Sequence, residues 1–271
     1  MRAPAPAKIN LALVVGPLRD DGKHEVLTVL QRVGLSDRID LEPAPATSVE
    51  GFPDDTLVRD ALGLLADRAR TTTGWRVHIE KKIPAAAGLG GGSSDAATAL
   101  RLANATLATP LPPPELHDLA AQLGSDVPFF LYDGPQLASG DGATLEALDL
   151  PQDFFVVLAL PDDAVKASTA DVYAAFDARE GANGWDDRRD VLAAALEAVR
   201  RPRDLSALPP NDLAQSPVSD RLRELGAFRA DVSGAGPAVY GLFHHERHAK
   251  AARRALRGLA RTWLTAPAWY G

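Results

Sequence analysis

The chain has 271 residues, 46% hydrophobic and 24% charged, with a formal net charge of −7 and no cysteine. This fits one large or two modest globular domains with a sizeable core, and excludes disordered and fibrous classes. The acidic balance argues against nucleic-acid and anionic-membrane surfaces but leaves room for a local phosphate pocket, and the missing cysteines remove disulfides, thiolate catalysis and thiolate metal sites, as suits a reducing cytoplasm.

No apolar run reaches the roughly 20 residues of a membrane helix. The opening stretch, "MRAPAPAKINLALVVGPLRDDG", is read as part of the fold rather than a signal peptide, because Lys8 and Asn10 interrupt its short apolar run. Residues 8–15 alternate as a strand, with Ile9, Leu11 and Leu13 on one face and Lys8, Asn10 and Ala12 on the other. "RDDGKH", 19–24, is a polar turn, and 25–43 reads as two strands. Apolar residues at 57, 58, 61, 62, 65 and 69 predict a helix over 55–70 with Asp55 as its N-cap. Residues 75–83 predict a strand, 93–108 a helix opened by Ser93 and Ser94, and 109–114 a rigid proline connector. A short helix over 114–124 and a hairpin over 136–148, turning at Gly140–Gly142, follow.

After Pro151 the rhythm changes. A buried strand at 154–160 precedes helices near 168–178, 187–200 and 217–225. Residues 228–243 read as strand, glycine turn and strand, and a helix over 246–260 leads to a last short strand. The domains are accordingly drawn as 1–150 and 151–271, without long-period repeats or low-complexity tracts.

The segment "PAAAGLGGGSSDAAT", 84–98, places four glycines and two serines within seven residues before a helix. Strand, glycine turn and helix N-terminus together make an anion site, because glycine permits left-handed backbone and the first helical N–H groups are unpaired at the positive dipole end. The competing reading is a flexible loop with a serine cap. A Walker A loop is excluded, since no Gly-Lys-Ser/Thr ends the run. The dinucleotide fingerprint matches at Gly88 and Gly90, but Ser93 replaces its third glycine and 108–113 lacks the expected acid.

The segment resembles the central motif of the galactokinase, homoserine kinase, mevalonate kinase and phosphomevalonate kinase superfamily. "APAKINLAL" (5–13) and "SGAGPAVYGLF" (233–243) resemble its N- and C-terminal motifs, in order. Together with "RDDGKHEVLT" and "GSDVPFFL" (124–131), the set is similar to the 4-diphosphocytidyl-2-C-methyl-D-erythritol kinase family. That resemblance implies an α+β, two-domain fold: an N-terminal domain like ribosomal protein S5 domain 2 that binds ATP, and a ferredoxin-like α/β sandwich that binds substrate. It also implies ATP and Mg2+ as cofactors, a small-molecule substrate, no nucleic-acid or membrane partner, a cytoplasmic location, and a monomer or weak homodimer. The reaction would be phosphorylation of the substrate's 2-hydroxyl in non-mevalonate isoprenoid synthesis.

On this resemblance Pro84, Gly88, Leu89, Gly90, Gly91, Gly92, Ser93 and Ser94 form the phosphate cradle. Lys8 matches the catalytic lysine and Asp126 the general base; their bland readings are a solubilising strand lysine and a turn cap before Pro128. Asn10, on the face of Lys8, joins the substrate site. His24 would bond the pyrimidine edge, and Lys23 stands where the family's usual residue is tyrosine, exchanging ring stacking for a methylene stem. Tyr173 would cover the second face of the base, unless it is an ordinary helix core residue. Thr169 would meet diphosphate or ribose, and Lys81 and Leu57 the adenine, against plain readings as solvated lysine and core leucine. Gly234, Ala235 and Gly236 would approach substrate phosphates, or merely form a tight hairpin. "HHERH", 244–248, reads as a solvated helix N-terminus, and no metal-ligand set is assigned; His78 and His117 read as packing or surface residues. The alternatives are a sibling kinase for homoserine, mevalonate or a sugar, a dinucleotide-binding oxidoreductase, and a non-catalytic nucleotide-binding protein.

Overall fold

The computed structural model describes residues 1–52, 56–164 and 168–268. Its first sheet is built on a long antiparallel ribbon of β1 (Arg2–Leu18) and β2 (His24–Ala44). The two strands expected over 25–43 are one strand, because partners occupy both of its edges. β1 runs along one edge, while β5 (Gln136–Gly140) pairs with 26–30 and β4 (Gly74–Glu80) with 38–44 on the other. The anticipated break survives only as a register shift opposite Pro6 and Ala7. β3 (Ser48–Glu50) adds to β4 in parallel, and β6 (Thr144–Ala147) closes the hairpin with β5, turning at Gly140 and Gly142.

Three helices cover this sheet: α1 (Leu57–Ala69), α2 (Gly91–Asn104) and α3 (Pro113–Leu123). The helical spacing of α1 buries Val58, Ala61, Leu62 and Leu65 in a core shared with Trp75, Leu100 and Phe129; each such large side chain contributes about 1.5–3 kcal/mol of burial. Asp55, the expected cap, lies outside the described residues, and Thr56 holds the N-cap position without a side-chain bond. α2 opens at Gly91, earlier than its serines suggest, with left-handed Gly90 as N-cap.

The second sheet contains β7 (Phe155–Pro161), β8 (Arg229–Val232), β9 (Val239–Phe243) and β10 (Ala260–Thr265), antiparallel in the order β10-β7-β9-β8. Helices α4 (Thr169–Ala178), α5 (Trp185–Ala198) and α6 (Pro217–Glu224) lie between β7 and β8, and α7 (Glu246–Ala255) between β9 and β10. This strand order is that of a ferredoxin-like sandwich. The last helix stops at Ala255 rather than near 260, in a turn carrying left-handed Gly258.

β1 is buried on both faces because it lies between the two sheets. Ala7, Ile9, Leu11 and Val14 pack in one cluster with Val156, Leu158, Tyr240 and Leu242 of the second sheet. Tyr240 Oη donates to the Leu11 carbonyl at 3.2 Å. At the far end Trp185 lies against Gly16, where a Cβ would meet the indole at 2.8 Å. The seam beside β1 leaves a cavity of about 870 Å3. No helix among the described residues is long and apolar enough to cross a membrane.

Candidate active site

The glycine loop enters the cavity from β4 and leaves as α2. Its base is held by Asp37 of β2, whose Oδ1 accepts from the backbone N–H groups of Lys82 and Ile83. Lys81 Nζ bridges Asp37 at 2.6 Å and Asp95 at 2.7 Å, and both carboxylates are buried. Burial works against the Lys81 ammonium, but the Asp95 and Asp37 charges outweigh it and hold its pKa above the ordinary lysine value. The bridge joins the loop's entry to the first turns of α2.

Within the loop Ala86, Gly88 and Gly90 have φ of 52°, 81° and 69°. A Cβ on Gly88 would lie 2.2 Å from the Ser233 carbonyl oxygen, and one on Gly90 2.9 Å from Lys8 Cγ. The loop is thus pressed against β1 and against a second glycine turn, 233–238. Lys8 N donates to Leu89 O, and Ala238 N to Ala87 O, each at 2.9 Å. Ser233 Oγ donates to Gly88 O at 2.9 Å. The first turn of α2 has neither a side-chain cap nor an acidic residue, so its N–H groups stay available to an anion. Gly88, Gly90 and Ser93 line the cavity. Ser94 does not: it is fully buried, and its Oγ has no partner among the described residues. Leu89 is core, Gly92 faces solvent, and Pro84 and Gly91 lie outside the lining.

Lys8 is 3% exposed, which sets aside the solubilising role. Its Nζ donates to Asn10 Oδ1 at 2.8 Å and lies 3.2 Å from Asp126 Oδ2. Asp126 sits in the turn between α3 and a single 3-10 turn, Pro128–Leu131, whose N-cap position is Val127 without a side-chain bond. The carboxylate caps nothing there and projects into the cavity. Behind Lys8, Asn10 Nδ2 donates to Thr28 Oγ1 at 2.8 Å, and Thr28 Oγ1 donates to the Ala12 carbonyl at 2.7 Å. The expected alternation of β1 holds only as far as residue 10. A bulge between Asn10 and Ala12 shifts the register, so Leu13 lines the cavity with Lys8 and Asn10 instead of opposing them.

At the other end, His24 is buried, with Nδ1 2.9 Å from the Gly16 carbonyl and Nε2 3.2 Å from Asp177 Oδ1. A carbonyl only accepts, so Nδ1 carries a proton. Tyr173 stacks on the His24 ring at 5.1 Å and 26°. Burial first, and the Asp126 charge second, push the Tyr173 phenol up to about 12, so it remains a neutral donor at physiological pH. Lys23 borders the cavity with its Nζ 2.6 Å from Asp141 Oδ2, and its hydrogen bond holds the Asp141 carboxyl below the usual carboxylate range. Thr169, the first residue of α4, and Gly234, Ala235 and Gly236 also line the cavity. A Cβ on Gly234 would lie 3.4 Å from both Lys8 Nζ and Asn10 Oδ1.

Two expected contacts lie apart from this group. Leu57 packs on the core from α1, and Lys81 is committed to its two carboxylates; neither lines the cavity. His244 to His248 are exposed around the start of α7, with His244 stacked on Phe228. His78 is exposed on β4, and His117 Nδ1 pairs with Tyr132 Oη at 3.0 Å. Among the described residues no group of three or more His, Cys, Asp or Glu is placed to hold a metal ion. Sequence reasoning missed Thr28, Asn211, Ser233, Asp141 and Asp177. Asn211 Nδ2 donates to the carbonyls of Gly234 and Val232 at 2.7 and 3.0 Å, holding the second glycine turn. Ser233, the first residue of that turn, was the most findable; Asn211 meets it only in three dimensions.

A ferredoxin-like half joined to a helix-covered half through one central strand, with glycine turns from both halves around a buried lysine and a carboxylate, defines a small-molecule kinase of the GHMP class, which uses ATP. The models of the GHMP kinases N terminal domain and GHMP kinases C terminal region match residues 56–134 and 213–261. A 4-diphosphocytidyl-2-C-methyl-D-erythritol kinase of Macrococcus caseolyticus is 37% identical over 94% of each chain, and one of Geobacillus thermodenitrificans is 37% identical over 94% of this chain and 92% of that one. A crystal structure of 4-(cytidine 5'-diphospho)-2C-methyl-D-erythritol kinase shares 32% identity and a TM-score of 0.79, covering 99% of this chain and 100% of the other. Mevalonate kinase of Methanococcus jannaschii, at 14% identity and a TM-score of 0.75 over 99% and 98% of the chains, shares the fold alone. The chain belongs to the 4-diphosphocytidyl-2-C-methyl-D-erythritol kinase family.

Proposed function

We propose that this chain transfers the γ-phosphoryl group of ATP to the 2-hydroxyl of 4-diphosphocytidyl-2-C-methyl-D-erythritol, a step of non-mevalonate isoprenoid precursor synthesis. The single observation that carries the proposal is the 3.2 Å pairing of Lys8 Nζ with Asp126 Oδ2, on the cavity wall that Gly88, Gly90 and Ser93 share. Phosphoryl transfer to an alcohol needs a phosphate cradle, positive charge near the transferred group and a group that takes the hydroxyl proton.

The roles follow from position. The N–H groups at the start of α2 and the backbone of the 88–90 turn hold nucleotide phosphates, and the glycines at 88 and 90 let that turn press against Ser233 and Lys8. Asp126 accepts the proton of the 2-hydroxyl as that oxygen bonds to the γ-phosphorus and the bond to the β-phosphate oxygen breaks. Lys8 stabilises the charge that grows on the transferred oxygens and holds the Asp126 carboxylate in place. Mg2+ would neutralise phosphate charge, with the Ser93 hydroxyl as one protein oxygen beside the cradle. His24, Tyr173, Lys23 and Thr169 receive the cytidine end, and the 234–236 turn its diphosphate. Lys81 serves the nucleotide by fixing α2, since its ammonium is already engaged. In this reading the domains are 1–150 and 151–271, and the enzyme works in the cytoplasm as a monomer or weak homodimer.

The test is ADP release by purified protein with ATP and Mg2+. It should occur with the cytidyl-diphospho-methylerythritol and not with mevalonate or homoserine. Release only with a sibling substrate overturns the assignment.

A further inference from the structure

We infer that Thr28 is a positioning residue for phosphoryl transfer: its hydroxyl fixes the orientation of the Asn10 amide, and through that amide aims the Lys8 ammonium at Asp126. The inference rests on the kinase reading above. Nothing in the sequence marks Thr28; its place follows from the hydrogen-bond inventory of the cavity wall.

The direction of each bond is forced. A carbonyl only accepts, and a threonine hydroxyl has one proton, so the 2.7 Å contact with Ala12 O uses the only donor Thr28 has. Thr28 Oγ1 can then only accept from Asn10, which must present Nδ2 at 2.8 Å. The amide oxygen is left facing Lys8, where it accepts from Nζ at 2.8 Å. A reversed amide would set its NH2 against the ammonium and its oxygen against a hydroxyl with no proton to give. Lys8, Asn10 and Thr28 are 3%, 4% and 5% exposed, so water does not replace these partners freely. Ser233 Oγ, at 3.4 Å from Asn10 Oδ1, is too distant to set the amide alone.

Geometry adds a second constraint. Thr28 lies opposite Leu13 in the β1–β2 ladder, just past the bulge between Asn10 and Ala12. At that irregular point the hydroxyl ties the β1 backbone at Ala12 to the side chain of Asn10. A free ammonium on a four-carbon stem samples many rotamers. Here one proton is taken by a fixed amide oxygen, which leaves the others directed at Asp126 and the cavity.

The experiment compares wild type, Thr28→Val, Thr28→Ser, Asn10→Ala and the double variant Asn10→Ala/Thr28→Val. Sites are counted by nucleotide-binding stoichiometry, so that unfolded protein drops out. Thr28→Val should lower kcat about 10-fold to 100-fold, the range for losing one partner of a buried polar pair, with the dissociation constant for ATP held within about twofold. Thr28→Ser should restore kcat to within about threefold of wild type, and Thr28→Val should add little once Asn10 is alanine. Wild-type kcat in Thr28→Val, or a full extra loss in the double variant, overturns the inference. So does equal weakening of kcat and ATP binding, which is what a merely structural threonine would produce. Failure of the kinase reading looks different: wild type itself would release no ADP with the cytidyl substrate.

Discussion

Replacing Gly88 by alanine tests the contact between the two glycine turns. At φ 81° an L-residue is strained, which costs about 1–2 kcal/mol. The new Cβ would stand 2.2 Å from the Ser233 carbonyl oxygen, with the Gly236 carbonyl oxygen at 3.0 Å. Both neighbours are backbone, so the turns must part. Parting endangers the bonds from Ser233 Oγ to Gly88 O and from Ala238 N to Ala87 O, each worth about 0.5–1.5 kcal/mol net. The sum is about 2–5 kcal/mol, and at about 2–4 °C per kcal/mol the melting temperature should fall by about 4–20 °C. Catalysis should suffer beyond the stability loss, because the cradle and the Lys8–Asp126 pair share this wall. Calorimetry and steady-state kinetics at a temperature where the variant is folded read the two effects separately. A melting temperature within about 2 °C of wild type, with an unchanged KM for ATP, would refute the reasoning.

Asp126→Ala should collapse kcat by at least about 100-fold while leaving nucleotide affinity nearly intact; isothermal titration with ATP checks the second half, and a large loss of binding would contradict the general-base role. Lys23→Tyr should lower the KM for the cytidyl substrate by adding ring stacking beside the His24 end, as initial-rate measurements would show. Lys81→Met leaves Asp37 and Asp95 buried without their shared cation, and should destabilise the fold by about 3–5 kcal/mol in urea melts. The same residue predicts a pH dependence. Its folded pKa lies above its unfolded value, so its stabilisation is complete below about pH 10.4 and is lost as pH rises through the raised value. Thermal melts of wild type should show that alkaline loss, and Lys81→Met should lack it.

The glycine run, the Lys8–Asn10 face and the strand–turn–strand at 228–243 are local patterns, and all were legible because composition or alternation over a few consecutive residues carries them. What escaped reading depends on partners far along the chain. β2 looked like two strands because its continuity comes from β4 and β5, not from its own residues. Leu13 was assigned to the wrong face because a bulge is set by register with β2, which alternation alone does not encode. Lys81 resembled a solvated strand lysine because its carboxylates come from positions 37 and 95. Asp126 had an equally good local reading as a turn cap, and what argues against it is the uncapped turn at Val127 together with the nearness of Lys8, neither of which the local sequence shows. Thr28 carried no signal: threonine is an ordinary strand residue until its hydroxyl meets Asn10 and Ala12.

The way β1 is shared between the halves has a consequence for how such an enzyme can be divided or recombined. A fragment ending near residue 150 would keep Lys8, Asp126 and the first glycine turn, yet lose Ser233, Ala238 and Tyr240, which brace that turn and that strand. Swapping the second half among related kinases is therefore constrained less by substrate chemistry than by fit along this one strand. Productive chimaeras should be those that carry β1 together with the C-terminal half it grips.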